Sequence, residues 1–216
     1  MKKWFVFKKQ SIPNYLTCLR IIVVPIIITL LLVNSATVYN FHLWNNNNLF
    51  VDINITTLVA GILFILASLS DALDGYLARK YQWISEFGKF WDPLADKILV
   101  NAVLFCLASP QQNLLPIWIP IIILIRDIII DGFRLNMKKN NVVVSANIYG
   151  KIKTICLMIG IIYLIFLGNP IWNVGNLYYW LIQNMLMYWA TILCIVSGII
   201  YILPVIKQNF EKKEEL

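Results

Sequence analysis

The stretch LVAGILFILASLSDALDGYLARK, residues 58–80, changes character halfway along. Residues 58–69 form an apolar run, and beyond it charged residues return at Asp71, Asp74, Arg79 and Lys80, the two acids three apart. That spacing continues one helix from an apolar environment into a polar one. Five further apolar runs lie around it, at 21–33 (reached through 12–20), about 89–107, 115–135, 150–167 and about 185–205. The runs are continuous and too long for barrel strands. Backbone groups in hydrocarbon must be satisfied within their own segment, so each run is expected to be a helix. The expected fold is therefore all-α, a polytopic membrane protein with six transmembrane helices. Composition agrees: 60% of the 216 residues are hydrophobic and 13% charged, where soluble domains have about 45–50% and about 25%. Mean hydropathy is +0.73. These values exclude an ordinary soluble enzyme and a largely disordered chain.

Charge gives the orientation. Formal net charge is +7, from 18 Lys and Arg against 11 Asp and Glu. Segments 34–57, 108–114 and 168–184 hold no Lys or Arg. By the positive-inside rule both termini are then cytoplasmic, and six alternating spans is the simplest arrangement that separates the charges this way. With the bases set between membrane-length runs, the anionic partners expected are lipid headgroups or phosphate substrates, not nucleic acid. Trp4, Phe5 and Phe7 lie between Lys pairs in MKKWFVFKKQ and suggest a short interfacial helix. The divisions expected are a juxtamembrane amphipathic segment at 1–11, a six-helix membrane domain at 12–207 and a charged cytoplasmic tail at 208–216. No convincing cleavage site follows residue 33, so the first run reads as a retained helix. Cys18, Cys106, Cys156 and Cys194 are scattered singly and His42 is the only histidine, which disfavours zinc, a disulfide framework and histidine catalysis.

Seven of the 11 acids lie at the cytoplasmic ends of spans two to four: Asp71, Asp74, Glu86, Asp92, Asp96, Asp127 and Asp131. Asp71 and Asp74 are three apart and Asp92 and Asp96 four apart, so each pair shares a helix face. The short connection between spans two and three makes these helices expected antiparallel neighbours, with the two pairs at one depth. Four carboxylates together repel unless protonated or balanced by cations. Two divalent ions would balance them, and hard oxygen ligands suit Mg²⁺ or Mn²⁺. Paired metals of this kind recur in displacement at phosphorus. Gly75 and Ala78 continue the first acidic face and Gly88 begins the second, so a phosphate or nucleotide can come close to the backbone.

Residues 71–96, DALDGYLARKYQWISEFGKFWDPLAD, resemble the signature of the CDP-alcohol phosphatidyltransferase family, D-x2-D-G-x2-A-R-x8-G-x3-D-x3-D. All eight fixed positions match: Asp71, Asp74, Gly75, Ala78, Arg79, Gly88, Asp92 and Asp96. The resemblance implies transfer of a phosphatidyl or similar group from a CDP-linked donor to an alcohol, with release of CMP. It implies that Asp71, Asp74, Asp92 and Asp96 hold two divalent cations and that Asp96 is also the base on the acceptor hydroxyl. By the same resemblance Asp71, Asp74, Gly75, Ala78, Arg79 and Gly88, with Asn14, contact the CDP part. It further implies a homodimer.

Outside the signature, PNYLT with Arg20, then RDIIIDGFRL (126–135) and YGKIKT (149–154), resemble the bacterial branch that uses CDP-diacylglycerol and glycerol 3-phosphate. The setting implied is a bacterial plasma membrane with the active site on the cytoplasmic side. Arg126, Arg134 and Lys151 are the candidates for holding the acceptor phosphate; Arg can fork onto phosphate oxygens. Plainer readings stand beside these. Arg126 can pair with Asp127, Arg134 and Lys151 can be interfacial anchors, and Asp127 and Asp131 can be ion-pair partners of Arg126 and Arg134. Phosphatidylglycerol, inositol phosphate and serine are the competing acceptors. A divalent-cation transporter is the reading from another class; it needs polar groups through the whole membrane depth.

Overall fold

The structure is a computed structural model and describes residues 12–33, 40–42, 52–81, 86–139, 148–168 and 177–214. Six helices carry it: α1 (Ile12–Leu32), α2 (Ile55–Tyr81), α3 (Glu86–Leu107), α4 (Trp118–Lys139), α5 (Ile148–Leu167) and α6 (Leu177–Glu214). Each expected run corresponds to one of them, although residues 115–117 precede α4 and Val33 follows α1. The expected interfacial helix at 1–11 lies outside the described residues. Two differences concern the connections. Asn40–His42 (β1) and Asp52–Asn54 (β2) form a three-residue antiparallel pair between α1 and α2, with Phe41 opposite Ile53. And α6 begins eight residues before the apolar run at 185 and continues through the expected tail to Glu214. The N-terminal addition, LYYWLIQN (177–184), is mostly aromatic and apolar, whereas the C-terminal one (206–214) is mostly polar and leaves no hydropathy mark, though its Gln, Glu and Lys are good helix formers.

The buried positions explain why these helices pack. On α1 they are Thr17, Arg20, Val24, Ile27 and Leu31, spaced three, four, three and four apart. That spacing makes one inward seam on a helix. On α2 Ala60, Phe64 and Ala67 lead to Asp71; on α4 Ile119 and Ile123 lead to Asp127; on α5 Leu164, Ile161 and Leu157 lead to Lys153. On α3, Leu107, Val103 and Leu99 lead to Asp96. Each of these seams is apolar at one end and polar or charged at the other. The exception is α6, which also buries Gln183 and Asn184 near its start. Outward positions are apolar as well: Ile22, Leu66, Leu73, Ile128, Ile155 and Ile199 are all more than half exposed. Two segments, Tyr15–Leu32 and Trp180–Leu203, are long and apolar enough to cross a membrane, and Ile55–Asp71 and Ile152–Leu167 are shorter apolar stretches.

The helix order in space corrects one expectation. α1 packs along both α2 and α3, which touch each other only slightly. The wedge is held at both ends. Thr17 and Arg20 reach across at one end, and at the other Gln112 Nε2 donates to the Leu31 carbonyl at 2.6 Å, satisfying one of the open acceptors of the α1 C-terminus. The turn that presents Gln112 depends on Asn113, whose φ of 47° is left-handed, a conformation Asn tolerates. There Asn113 N–H donates to the Ser109 carbonyl at 2.8 Å and Leu114 N–H to the Leu107 carbonyl at 3.0 Å.

Gly61 lets α2 meet α5. A Cβ at this position would stand 2.7 Å from the Phe166 ring and 2.8 Å from Ile165. Gly61→Val should therefore lower stability by about 1–3 kcal/mol, the usual cost of overpacking. Gly132→Ala should be neutral or stabilising, since nothing lies within 4 Å of its Cβ position and Ala favours helix. Thermal unfolding midpoints of the two variants in one detergent check both.

Candidate active site

The charged ends of the seams meet at one end of the bundle. Arg20 is fully buried on α1, and its Nη1 donates to Asp71 Oδ1 on α2 at 2.6 Å. One turn earlier, the buried Thr17 hydroxyl donates to Asp92 Oδ1 on α3. The first helix thus holds one carboxylate from each half of the signature. Asp96 lies one turn beyond Asp92 on α3. The charges that act on it come from Asp71, Arg20, Lys153 and Asp127, on four other helices. Its Oδ1 is buried and, among the described residues, has no hydrogen-bond partner. A buried carboxylate oxygen left in that state lacks the partner that normally offsets desolvation. Pro93 stands between the two acids inside α3 and removes one backbone donor there.

A second polar group continues from Asp96 toward α6. Asp127 on α4 accepts from Lys153 Nζ at 2.8 Å and from Arg126 Nη1 at 2.9 Å. Lys153 and Asp127 are both buried. Arg126 then turns to α6, where Nη2 donates to the Ser197 hydroxyl at 2.7 Å and Nε to the Cys194 carbonyl at 3.2 Å. Gly198 makes room for it; a Cβ there would come within 3.3 Å of Arg126 Cγ. Two cations, Lys153 and Arg126, therefore share the Asp127 carboxylate. Asp131 instead pairs with Lys97 on α3, at the more exposed edge.

The sequence-derived residues sort as follows. Asp71, Asp92 and Asp96 come to one end of the bundle, with Gly75 one turn beyond Asp71 on α2. The side chains of Asn14, Asp74, Ala78, Arg79 and Lys151 and the surroundings of Gly88 lie outside the described residues. Arg126 and Arg134 do share a face, as their spacing implies, but the face is turned to α6: Arg134 lies over the Tyr201 ring, 5.9 Å from its centroid. Asp127 takes Arg126, and Asp131 takes Lys97 rather than Arg134. Lys153 was not singled out in the sequence. What separates it from Lys151 is the buried face of α5: Lys153 lies four residues before the buried Leu157 and seven before the inward Gly160.

The donor chemistry suits a hard divalent cation, since every candidate ligand is a carboxylate and Asp96 Oδ1 awaits a partner. Among the described residues, however, no group of three His, Cys, Asp or Glu side chains forms a ready metal cage. Asp74 is not among the side chains described.

Residues 10–203 match the family model for CDP-alcohol phosphatidyltransferase. The chain is 36% identical to the CDP-diacylglycerol–glycerol-3-phosphate 3-phosphatidyltransferase of Mycoplasma genitalium, over 94% of this chain and 87% of that protein. It is 36% identical to the protein of the same name from Mycoplasma pneumoniae, over 93% and 88%. It is 40% identical to the one from Bacillus subtilis, over 67% and 70%.

Removing Asp127 should leave Arg126 and Lys153 buried together without a counter-charge. Asp127→Leu is expected to cost about 3–5 kcal/mol, as for other broken buried pairs. Asp131→Asn breaks a half-exposed pair and should cost about 0–1 kcal/mol. Chemical or thermal unfolding of both variants in one detergent provides the comparison.

Proposed function

The chain belongs to the CDP-alcohol phosphatidyltransferase family, and from that premise we propose that it transfers the phosphatidyl group of CDP-diacylglycerol to glycerol 3-phosphate, giving phosphatidylglycerol phosphate and CMP. The observation that carries this reading is the complete eight-position signature, with its described carboxylates at one buried, charged end of the bundle. The relatives named for this reaction span nearly the whole chain and add the acceptor.

The chemistry needs four things of the protein. The diphosphate of the donor must be held, the acceptor phosphate must be neutralised, the attacking hydroxyl must lose a proton, and CMP must leave. Asp71, Asp74, Asp92 and Asp96 would hold two divalent cations, Mg²⁺ or Mn²⁺, which supply Lewis acidity at the diphosphate oxygens. Gly75, Ala78, Arg79 and Gly88, with Asn14, are assigned to the CDP part. Asp96 takes the proton from the acceptor hydroxyl; its unpartnered buried oxygen suits a group whose partner is the substrate. The Lys153 ammonium and Arg126 guanidinium on Asp127 suit a phosphate-bearing acceptor, glycerol 3-phosphate or inositol phosphate, over serine. Arg134 and Lys151 remain assigned to the acceptor phosphate.

The same reading gives six transmembrane helices in a bacterial plasma membrane, with both termini and the site cytoplasmic, and a homodimer. The apolar outward positions of the helices support the membrane setting. A divalent-cation transporter is the less favoured alternative. Among the described residues the buried ionisable groups gather at one end of the bundle, and Gln183 and Asn184 at the other are uncharged.

Purified protein should release CMP from CDP-diacylglycerol with glycerol 3-phosphate in Mg²⁺ or Mn²⁺. It should turn over phosphatidylglycerol, inositol phosphate and serine far more slowly. Preference for one of those three would overturn the acceptor, and full activity after exhaustive chelation would overturn the metals. Asp96→Asn should lose about 10²–10⁴-fold in CMP release, the usual worth of a general base, and still bind CDP-diacylglycerol. Near-normal turnover would remove Asp96 from its role.

A further inference from the structure

Thr17 and Arg20 lie outside the signature, three residues apart on α1, and both are wholly buried. Each donates to the Oδ1 of one signature carboxylate, Thr17 to Asp92 and Arg20 to Asp71. The two bonds bridge 75 and 51 residues of sequence and reach different helices. A tie meant only to hold helices together needs neither. Apolar packing does that along the rest of the α1 seam, through Val24, Ile27 and Leu31. A guanidinium buried in an apolar bundle is costly without a paired acid. What the pair adds is orientation. A carboxylate with one oxygen held has its plane and its other oxygen fixed, and ligating carboxylates elsewhere depend on such partners.

We propose that Thr17 and Arg20 are positioning residues for the reaction: one turn of α1 fixes the orientation in which Asp92 and Asp71 meet the cation-bound diphosphate of the nucleotide-lipid substrate. This rests on the function proposed above. The division it makes is between carboxylates held by the protein and Asp96, whose buried Oδ1 is left for the reactant. Thr17 contributes through a hydroxyl alone, so a nearly isosteric change separates orientation from packing. Arg20 contributes through charge and reach together.

The test uses the full chain in detergent, with Mn²⁺ as the probe, followed by electron paramagnetic resonance without lipid substrate. Thr17→Val should raise the Mn²⁺ concentration for half-saturation by about 10–100-fold, the range seen when partners of metal ligands are removed. Its thermal unfolding midpoint should stay at that of the unaltered protein. Thr17→Ser restores the hydroxyl and should restore Mn²⁺ binding. Arg20→Lys keeps the charge but shortens the reach and loses the planar fork, so it should weaken Mn²⁺ binding in the same direction. Parent-like Mn²⁺ binding by Thr17→Val, or a Thr17→Ser variant as weak as Thr17→Val, overturns the positioning role while leaving the enzyme reading in place. An unaltered protein that binds no Mn²⁺ overturns the metals and the positioning role together.

Discussion

A guanidinium with no exposed surface is the constraint on which this bundle is built. Arg20 sits on the innermost face of α1, among residues that are otherwise apolar. Its charge is compensated by Asp71, a third exposed, on the helix alongside. A lone buried cation would cost several kcal/mol, so α1 and α2 are bound to one relative position along their axes. Thr17 ties α3 to the same turn. The signature is split between two helices that barely touch, and the helix between them brings its halves together.

The same principle runs through the second half of the chain. Lys153 and Arg126 come from α5 and α4 and share Asp127, and Arg126 passes the contact on to Ser197 of α6. All six helices thereby contribute to one polar end, while their remaining inward faces are apolar. Close packing alone leaves helices free to slide or rotate in small steps. A few buried charges with specific partners remove that freedom, and here they do so where the carboxylates must be aligned.

Much of this was legible in the sequence. Continuous apolar runs marked each helix, two of them long and apolar enough to cross a membrane. The spacing of Asp71, Asp92 and Asp96 pointed to the polar end of the bundle where the structure places them, while the Asp74 side chain lies outside the described residues. Two things were hidden. The place of α1 between α2 and α3 depends on tertiary pairing over 51 and 75 residues, which no local pattern reports. The role of Lys153 was hidden for a similar reason. Two lysines two residues apart in YGKIKT look alike in sequence, and only the register of the buried face of α5 separates them. The β1–β2 pair and the C-terminal extension of α6 were missed because three-residue strands and hydrophilic helix turns carry almost no hydropathy signal.

The wedge of α1 also sets an order of events as the chain is made. Thr17, Arg20, Asp71, Asp92 and Asp96 all lie within the first 96 residues of 216. The acidic half of the site can assemble while more than half of the chain is still being synthesised. Lys153 and Asp127 arrive later, on helices that must dock against a three-helix unit already holding its carboxylates. The signature carboxylates and the α1 residues that hold them are thus made first, and the Lys153–Asp127–Arg126 group is completed only with the last three helices.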